Sequence, residues 1–212
     1  DIIAEAVSDD AACRAELRRY YRAFGRITSV KAKDEDSVYA QYYDYAEPLN
    51  KIPGHRVLAM EGRDALKFAQ AQFTTDVEAL ADGHWHWSGW LTPKGRIIAL
   101  FALVRLGPEL LWLVLPDADP QDVAGQLQRF VFRSKVKLQP LEGMHAAGAF
   151  AAPSAASGPV IAGGPGEGLE LDLGGDGGQR TLRLSPDPAP EDPESAARWK
   201  AFDLAHGLPR LD

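Results

Sequence analysis

From residue 57 onward the apolar positions fall into short blocks whose period switches between strand and helix. Residues 57–60 form an apolar run that predicts a short strand. Gly62 and Asp64 then open an amphipathic helix reaching residue 73, with Leu66, Phe68, Ala69 and Phe73 as its apolar stripe. Residues 85–91 read as a strand, Thr92-Pro93-Lys94-Gly95 as a turn, and 97–106 as a long strand. Gly107-Pro108-Glu109 turns the chain into a further strand over 110–115. A helix is predicted from Asp119 or Pro120 to 132, and a strand over 135–141. The order β-α-β-β-β-α-β predicts an α+β fold, with two helices on one antiparallel sheet, related to ferredoxin-like folds.

The flanking stretches differ. Residues 1–54 read as helical: Ser8 caps a helix through Asp9 and Asp10, Leu17, Tyr20, Tyr21 and Phe24 recur at helical spacing, and Gly25 ends it. A second helix fits 37–45, with Val38, Tyr42 and Tyr45 on one face, before Pro48 and Pro53 break the pattern. Residues 151–178 are rich in Ala, Gly, Ser and Pro and predict a mobile loop with one strand at 169–173. Strand 181–184 follows, then a helix over 194–206 bearing Trp199 and Phe202 and stopped by Gly207. Gly163-Gly164-Pro165-Gly166 has no Lys-Ser/Thr after it, so it is a linker rather than a phosphate loop. No internal repeat is detectable.

Composition narrows the function classes. A net charge of −7 argues against a chain-wide nucleic-acid or anionic-membrane role, while leaving room for a local basic patch. The lone Cys13 cannot close an internal disulfide and fits a reducing cytoplasm, as a structural thiol rather than a nucleophile. The longest apolar run, 97–104, is far shorter than a membrane span, and the amino terminus lacks signal-peptide character. His84 and His86 alternate with Trp85 and Trp87; two histidines on one strand face chelate a metal only with a third ligand, so an exposed polar face opposite a buried Trp face is the expectation. Lys94, Arg96, Arg129, Arg133, Lys135 and Lys137 either form solvated edges or attract a polyglutamyl tail or phosphate. Tyr39, Tyr42, Tyr43 and Tyr45 could stack on bases but more commonly pack between helices.

Two resemblances follow from the residues. The run YYDYAEPLNKIPGHRVLAM, within Tyr20 to Met60, resembles an internal helical segment of the Tex transcription accessory proteins. Those proteins bind nucleic acid chiefly through a carboxy-terminal S1 domain, to which nothing here corresponds, so no binding residue is carried over. The runs VLAMEGRDALKFAQAQFTTDVEAL, WLTPKGRIIALFALVRL, LQRFVFRSKVKL and WKAFDLAHGLPRL resemble the folate-binding family of YgfZ and the glycine-cleavage aminomethyltransferase. That resemblance implies a (tetrahydro)folate-binding module linked to iron–sulfur maintenance and tRNA modification. The family's Lys-Gly-Cys signature is expected after the final helix and is absent. The transferase branch has acidic residues after the turn glycine, where this chain has Ala99 and Leu100, which cannot ionise, so aminomethyl transfer is not expected.

The resulting expectation is a chimeric or recombinant protein: a Tex-like helical segment (1–56) packed on a truncated folate-binding-type domain (57–150), with 151–212 as loop, short strands and terminal helix. No native catalytic activity and no obligatory cofactor are expected. The alternatives are residual tetrahydrofolate binding, with Gln72, Thr75, Asp76, Lys94 and Arg96 as cofactor contacts, or an adventitious hydrolase or metal-dependent activity at His84 and His86. The apolar strands 97–106 and 110–115 call for cover, which a foreign helix face (Leu17, Tyr21, Phe24) or a second copy would supply; a homo-oligomer, as a dimer with or without exchanged segments, is therefore expected. Membrane and nucleic-acid partners are not.

Overall fold

A computed structural model describes residues 48–175 and 178–208. The chain divides into two units, 1–48 and 49–212. The helices expected over 1–45, with Cys13, the tyrosines and the Leu17 face, lie outside the described residues.

The first sheet has the order β3-β4-β5-β2-β6, with every neighbouring pair antiparallel. Its strands are β2 (Arg56–Glu61), β3 (His84–Leu91), β4 (Ile97–Gly107), β5 (Leu110–Leu115) and β6 (Lys137–Pro140). Helix α1 (Ala65–Gln72) links β2 to β3, and α2 (Pro120–Leu127) links β5 to β6. Because β5 and β6 both run antiparallel to the intervening β2, they are parallel to each other, with α2 as their crossover. That half is ferredoxin-like. The other half is not, because the extra strand of the β3–β4–β5 meander reverses β3 relative to β2. Asp119 caps α2 by accepting from the Gln121 amide at 2.8 Å, and Pro120 occupies its first turn.

The sequence-based picture of one sheet needs correction, for there are two. The second has the order β1-β7-β10-β9-β8, built from β1 (Asn50–Lys51), β7 (His145–Ala149), β8 (Ala162–Gly164), β9 (Gly168–Asp172) and β10 (Thr181–Ser185). The stretch expected to be loop with one strand at 169–173 holds that strand, as β9, and a second, β8. The Gly and Ala residues of β7 are strand positions under close packing: a Cβ on Gly148 would sit 2.5 Å from the Trp199 ring. Helix α3 (Pro193–Ala205), capped by Asp192, carries that ring.

Side-chain alternation explains why β4 and β5 are apolar throughout. Ala99, Phe101, Leu103, Leu111, Leu113 and Leu115 pack with α1 and α2 in one core. Ala102, Val104, Trp112 and Val114 face the second core, where Leu169, Leu171, Leu182, Leu184 and Trp199 meet them. A strand buried on both faces needs no polar alternation. The cover that the apolar strands demand therefore comes from residues 145–199 of the same chain. It does not require a foreign helix or a second copy, because β7 to β10 supply a second sheet. No described helix is long and apolar enough to cross a membrane.

Candidate binding cavity

Strand β3 lies at the edge of the first sheet, and its two faces present different chemistry. On the helix side lie His84, His86, Ser88 and Trp90, and on the inter-sheet side Trp85 and Trp87. The edge is protected at both ends. Phe73 and Thr74 bridge to Gly89 and Trp90, while Val160 bridges to His84 and the Trp85 indole donates to the Gly158 carbonyl at 3.0 Å.

Between these covers sits a polar cluster. The Thr75 hydroxyl lies 3.0 Å from His86 Nε2 and 2.7 Å from the Ser88 hydroxyl. Gln70 positions the loop by accepting from the Val77 and Glu78 amides, and Asp76 accepts from the Ala79 amide. Burial pushes the His86 imidazole below its ordinary pKa, and the Asp76 charge opposes that only partly. His84 and His86 are half-buried instead of exposed, because α1 and the loop after it pack over their face. They also diverge: the His84 ring turns to the Asp82 carbonyl and His86 to Thr75. Among the described residues no group of three or more His, Cys, Asp or Glu gathers as a metal site.

A cavity of about 20 Å³ opens on the opposite, inter-sheet side, lined by His55, Trp87, Leu100, Pro116, Leu173, Trp199, Asp203 and Leu208. That is room for about one water molecule. The local sequence explains its walls. β3 and β4 alternate, so Trp87 and Leu100 point to this side while Ala99 enters the helix-side core. On α3, Trp199 and Asp203 are four apart and share a face. His55 meets Trp199 edge-on with ring centroids 6.4 Å apart. The Trp199 indole N–H is buried and has no hydrogen-bond partner among the described residues. Beside it, Arg180 is 3% exposed, donates to Asp203 at 2.6 Å, and is sandwiched with its guanidinium 4.7 Å from Trp199 and 4.2 Å from Phe202.

Of the five sequence-predicted cofactor contacts, the structure brings Thr75 and Asp76 together beside His86, near Gln72 at the end of α1. Lys94 and Arg96 stand exposed on the β3–β4 turn, away from them. None of the five lines the cavity. The cavity residues Trp87, Trp199, Asp203 and His55 were not found from sequence as a group, since they come together from three segments: strand β3, helix α3 and the turn before β2. The available signal was the unbroken apolar character of β4 and β5, which requires a second layer.

Comparison with known proteins places similarity in two regions. A family model described as "Tex central region-like" matches residues 1–80, which carries the Tex-like similarity past the expected boundary near 58 and through α1. Protein tex of Bordetella pertussis is 28% identical over 142 residues, 64% of this chain and 16% of that protein. The mitochondrial iron–sulfur cluster assembly factor IBA57 homolog of Neurospora crassa is 30% identical over 105 residues, 47% of this chain and 24% of that protein. This chain spans 10–24% of the curated relatives it matches. Among solved structures, the glycine cleavage system aminomethyltransferase T of Bartonella henselae superposes with a TM-score of 0.57 at 19% identity, over 76% of this chain and 44% of that one. The fold of the described residues is thus of the glycine-cleavage T-protein type, and the chain combines that with Tex-like sequence.

Proposed function

We propose that the described unit is a non-catalytic binding module for a reduced folate, and that the chain as a whole joins segments of two origins. One observation supports the binding reading above the others: a cavity between the sheets walled by Trp87 and Trp199, with a buried indole N–H that has no partner among the described residues. Two aromatic faces, one stranded donor and a nearby carboxylate, Asp203, match the chemistry of a flat ring rich in nitrogen acceptors and amino donors. The donor set fits such a ring. The closed space does not, so binding requires Leu208 or Trp87 to swing aside.

The same geometry argues against transfer chemistry. Leu100, one of the two positions where the resemblance implies acidic residues, lines the cavity with an apolar side chain, and Ala99 is fully buried on the other side of the sheet. Neither can take or give a proton at a bound one-carbon group. A role beside iron–sulfur cluster assembly, as the name of the Neurospora relative states for that protein, is the cellular setting this reading adopts.

Calorimetric titration of the full chain with tetrahydrofolate, followed in parallel by quenching of tryptophan emission, tests the proposal. Saturable heat that disappears in Trp199→Ala supports it. Absence of both heat and a thermal shift overturns it. The dual-origin reading falls if one uninterrupted native gene encodes the join.

A further inference from the structure

We propose that the end of the first sheet carrying the β3–β4 turn is a binding surface for single-stranded nucleic acid, separate from the inter-sheet cavity. The chain is acidic, with a net charge of −7, yet residues 91–107 and 128–141 contain no carboxylate at all. Between them they hold Lys94, Arg96, Arg105, Arg129, Arg133, Lys135 and Lys137. Arg105 is committed to Asp82 and the Leu80 carbonyl. The other six have no ion pair among the described residues. Asp64, the carboxylate tied to this run, already accepts from the Lys135 amide at 2.7 Å.

Aromatic rings lie among these cations. After α2 a 3₁₀ turn (Gln128–Phe130) leads into an irregular stretch, leaving Phe130 53% and Phe132 84% exposed. The Phe130 ring packs edge-on against Trp90, centroids 6.2 Å apart. Trp90 lies just before the turn bearing Lys94 and Arg96, so this contact brings the segment around Arg129 beside that turn, whereas Lys135 and Lys137 lie at the other end of the sheet, where Lys137 pairs in register with Glu61. Arg133 lies 5.3 Å from the centroid of the Phe132 ring. Ile97, 45% exposed, completes the apolar ground.

Bare rings interleaved with unpaired cations are what a single strand requires: bases stack on the rings while phosphates meet Lys and Arg. A duplex hides its base faces and would make no use of Phe132. An acidic peptide would satisfy the charges but has no flat group to cover the rings. Overall acidity does not forbid the contact, because it is set by the local field, and the distant negative charge limits it to a short strand at modest salt.

The test is fluorescence anisotropy of a labelled oligouridylate of about 12 nucleotides titrated with the full chain at about 50 and 200 mM salt. If Lys94, Arg96, Arg129 and Arg133 each meet a phosphate, the slope of log affinity against log salt is about −3, a loss of about 50-fold across that range. Phe132→Ala, at so exposed a position, leaves the melting temperature unchanged and weakens binding about 5- to 100-fold with the slope retained. Arg129→Ala with Arg133→Ala lowers the slope by about 1.4. No binding at the lower salt, or equal binding by Phe132→Ala, overturns the proposal. Preference for polyglutamate with the same Phe132 dependence would assign the surface to an acidic polypeptide instead. Tetrahydrofolate titrations read the other site, so either reading can fail alone.

Discussion

The two sheets are made from unlike residues and held by unlike means. The first is a stack of Leu, Val, Phe and Trp buried on both faces, whose stability derives from apolar area. The second is built on Ala146, Ala147, Gly148 and Ala149 with glycine-rich β8, and it depends on particular closures: Trp199 seated on Gly148, the Arg180–Asp203 pair, and Glu170 gathering the loop before it. Leu169, Leu171, Leu182 and Leu184 anchor β9 and β10, but β7 and β8 have little side-chain surface to bury, so their place is fixed by the larger groups laid across them.

This contrast makes ordered predictions. Phe101→Ala, at a fully buried position in the first sheet, is expected to cost about 3–5 kcal/mol in urea-unfolding free energy. Asp203→Ala strands the Arg180 charge at 3% exposure and is expected to cost about 3 kcal/mol or more, with the Trp199 emission maximum shifting as the sandwich opens. Gly148→Ala adds one carbon where the Trp199 ring already sits, and about 1–3 kcal/mol is expected. If this added methyl proves neutral while Phe101→Ala remains severe, the second sheet is not held as argued.

Two smaller effects depend on pH. Burial raises the Glu170 carboxyl, but hydrogen bonds from the amides of Ser154, Ala156 and Ala155 and the Ser154 hydroxyl outweigh it, leaving the group below its ordinary value. A lowered carboxylate contributes stability that is present above its unfolded pKa and lost as pH falls through the folded one. Glu170→Gln is thus expected to cost about 1 kcal/mol at neutral pH, and the gap to the parent should close in acid, as read by urea titrations at both. His86 works on the first sheet. Its lowered pKa means that protonation favours the unfolded chain, so stability declines as pH falls from about 6.5 toward the folded value. His86→Gln should flatten that decline in melting temperature between about pH 7 and 5; an unchanged profile would show that the Thr75 cluster is open to solvent.

Much of the first sheet was legible along the chain. Residues 110–115 are β5 without adjustment, and the 97–106 run differs from β4 by one residue. Strong periodicity and Gly-Pro turns define such elements locally. Helix α2 ended early, at Leu127, with a 3₁₀ turn where a continuous helix was expected: Val131 still packs on the first core, but Phe132 and Arg133 turn out to solvent. In the second sheet the strands expected at 169–173 and 181–184 are β9 and β10, while β7 and β8 escaped because alanine and glycine have low strand propensity and Trp199 against Gly148 holds β7 in place.

The sequence by itself determined the apolar strands, the helix caps at Asp119 and Asp192, the apolar replacement of acids at Ala99 and Leu100, and the segregation of basic residues in an acidic chain. These depend on residue type and near neighbours alone. Tertiary structure alone decided that a glycine-rich stretch would complete the core, that His84 and His86 would face different partners, and that Trp87, Trp199, Asp203 and His55 would enclose one cavity. Those outcomes depend on contacts between residues far apart in the chain, and such contacts have no period to read.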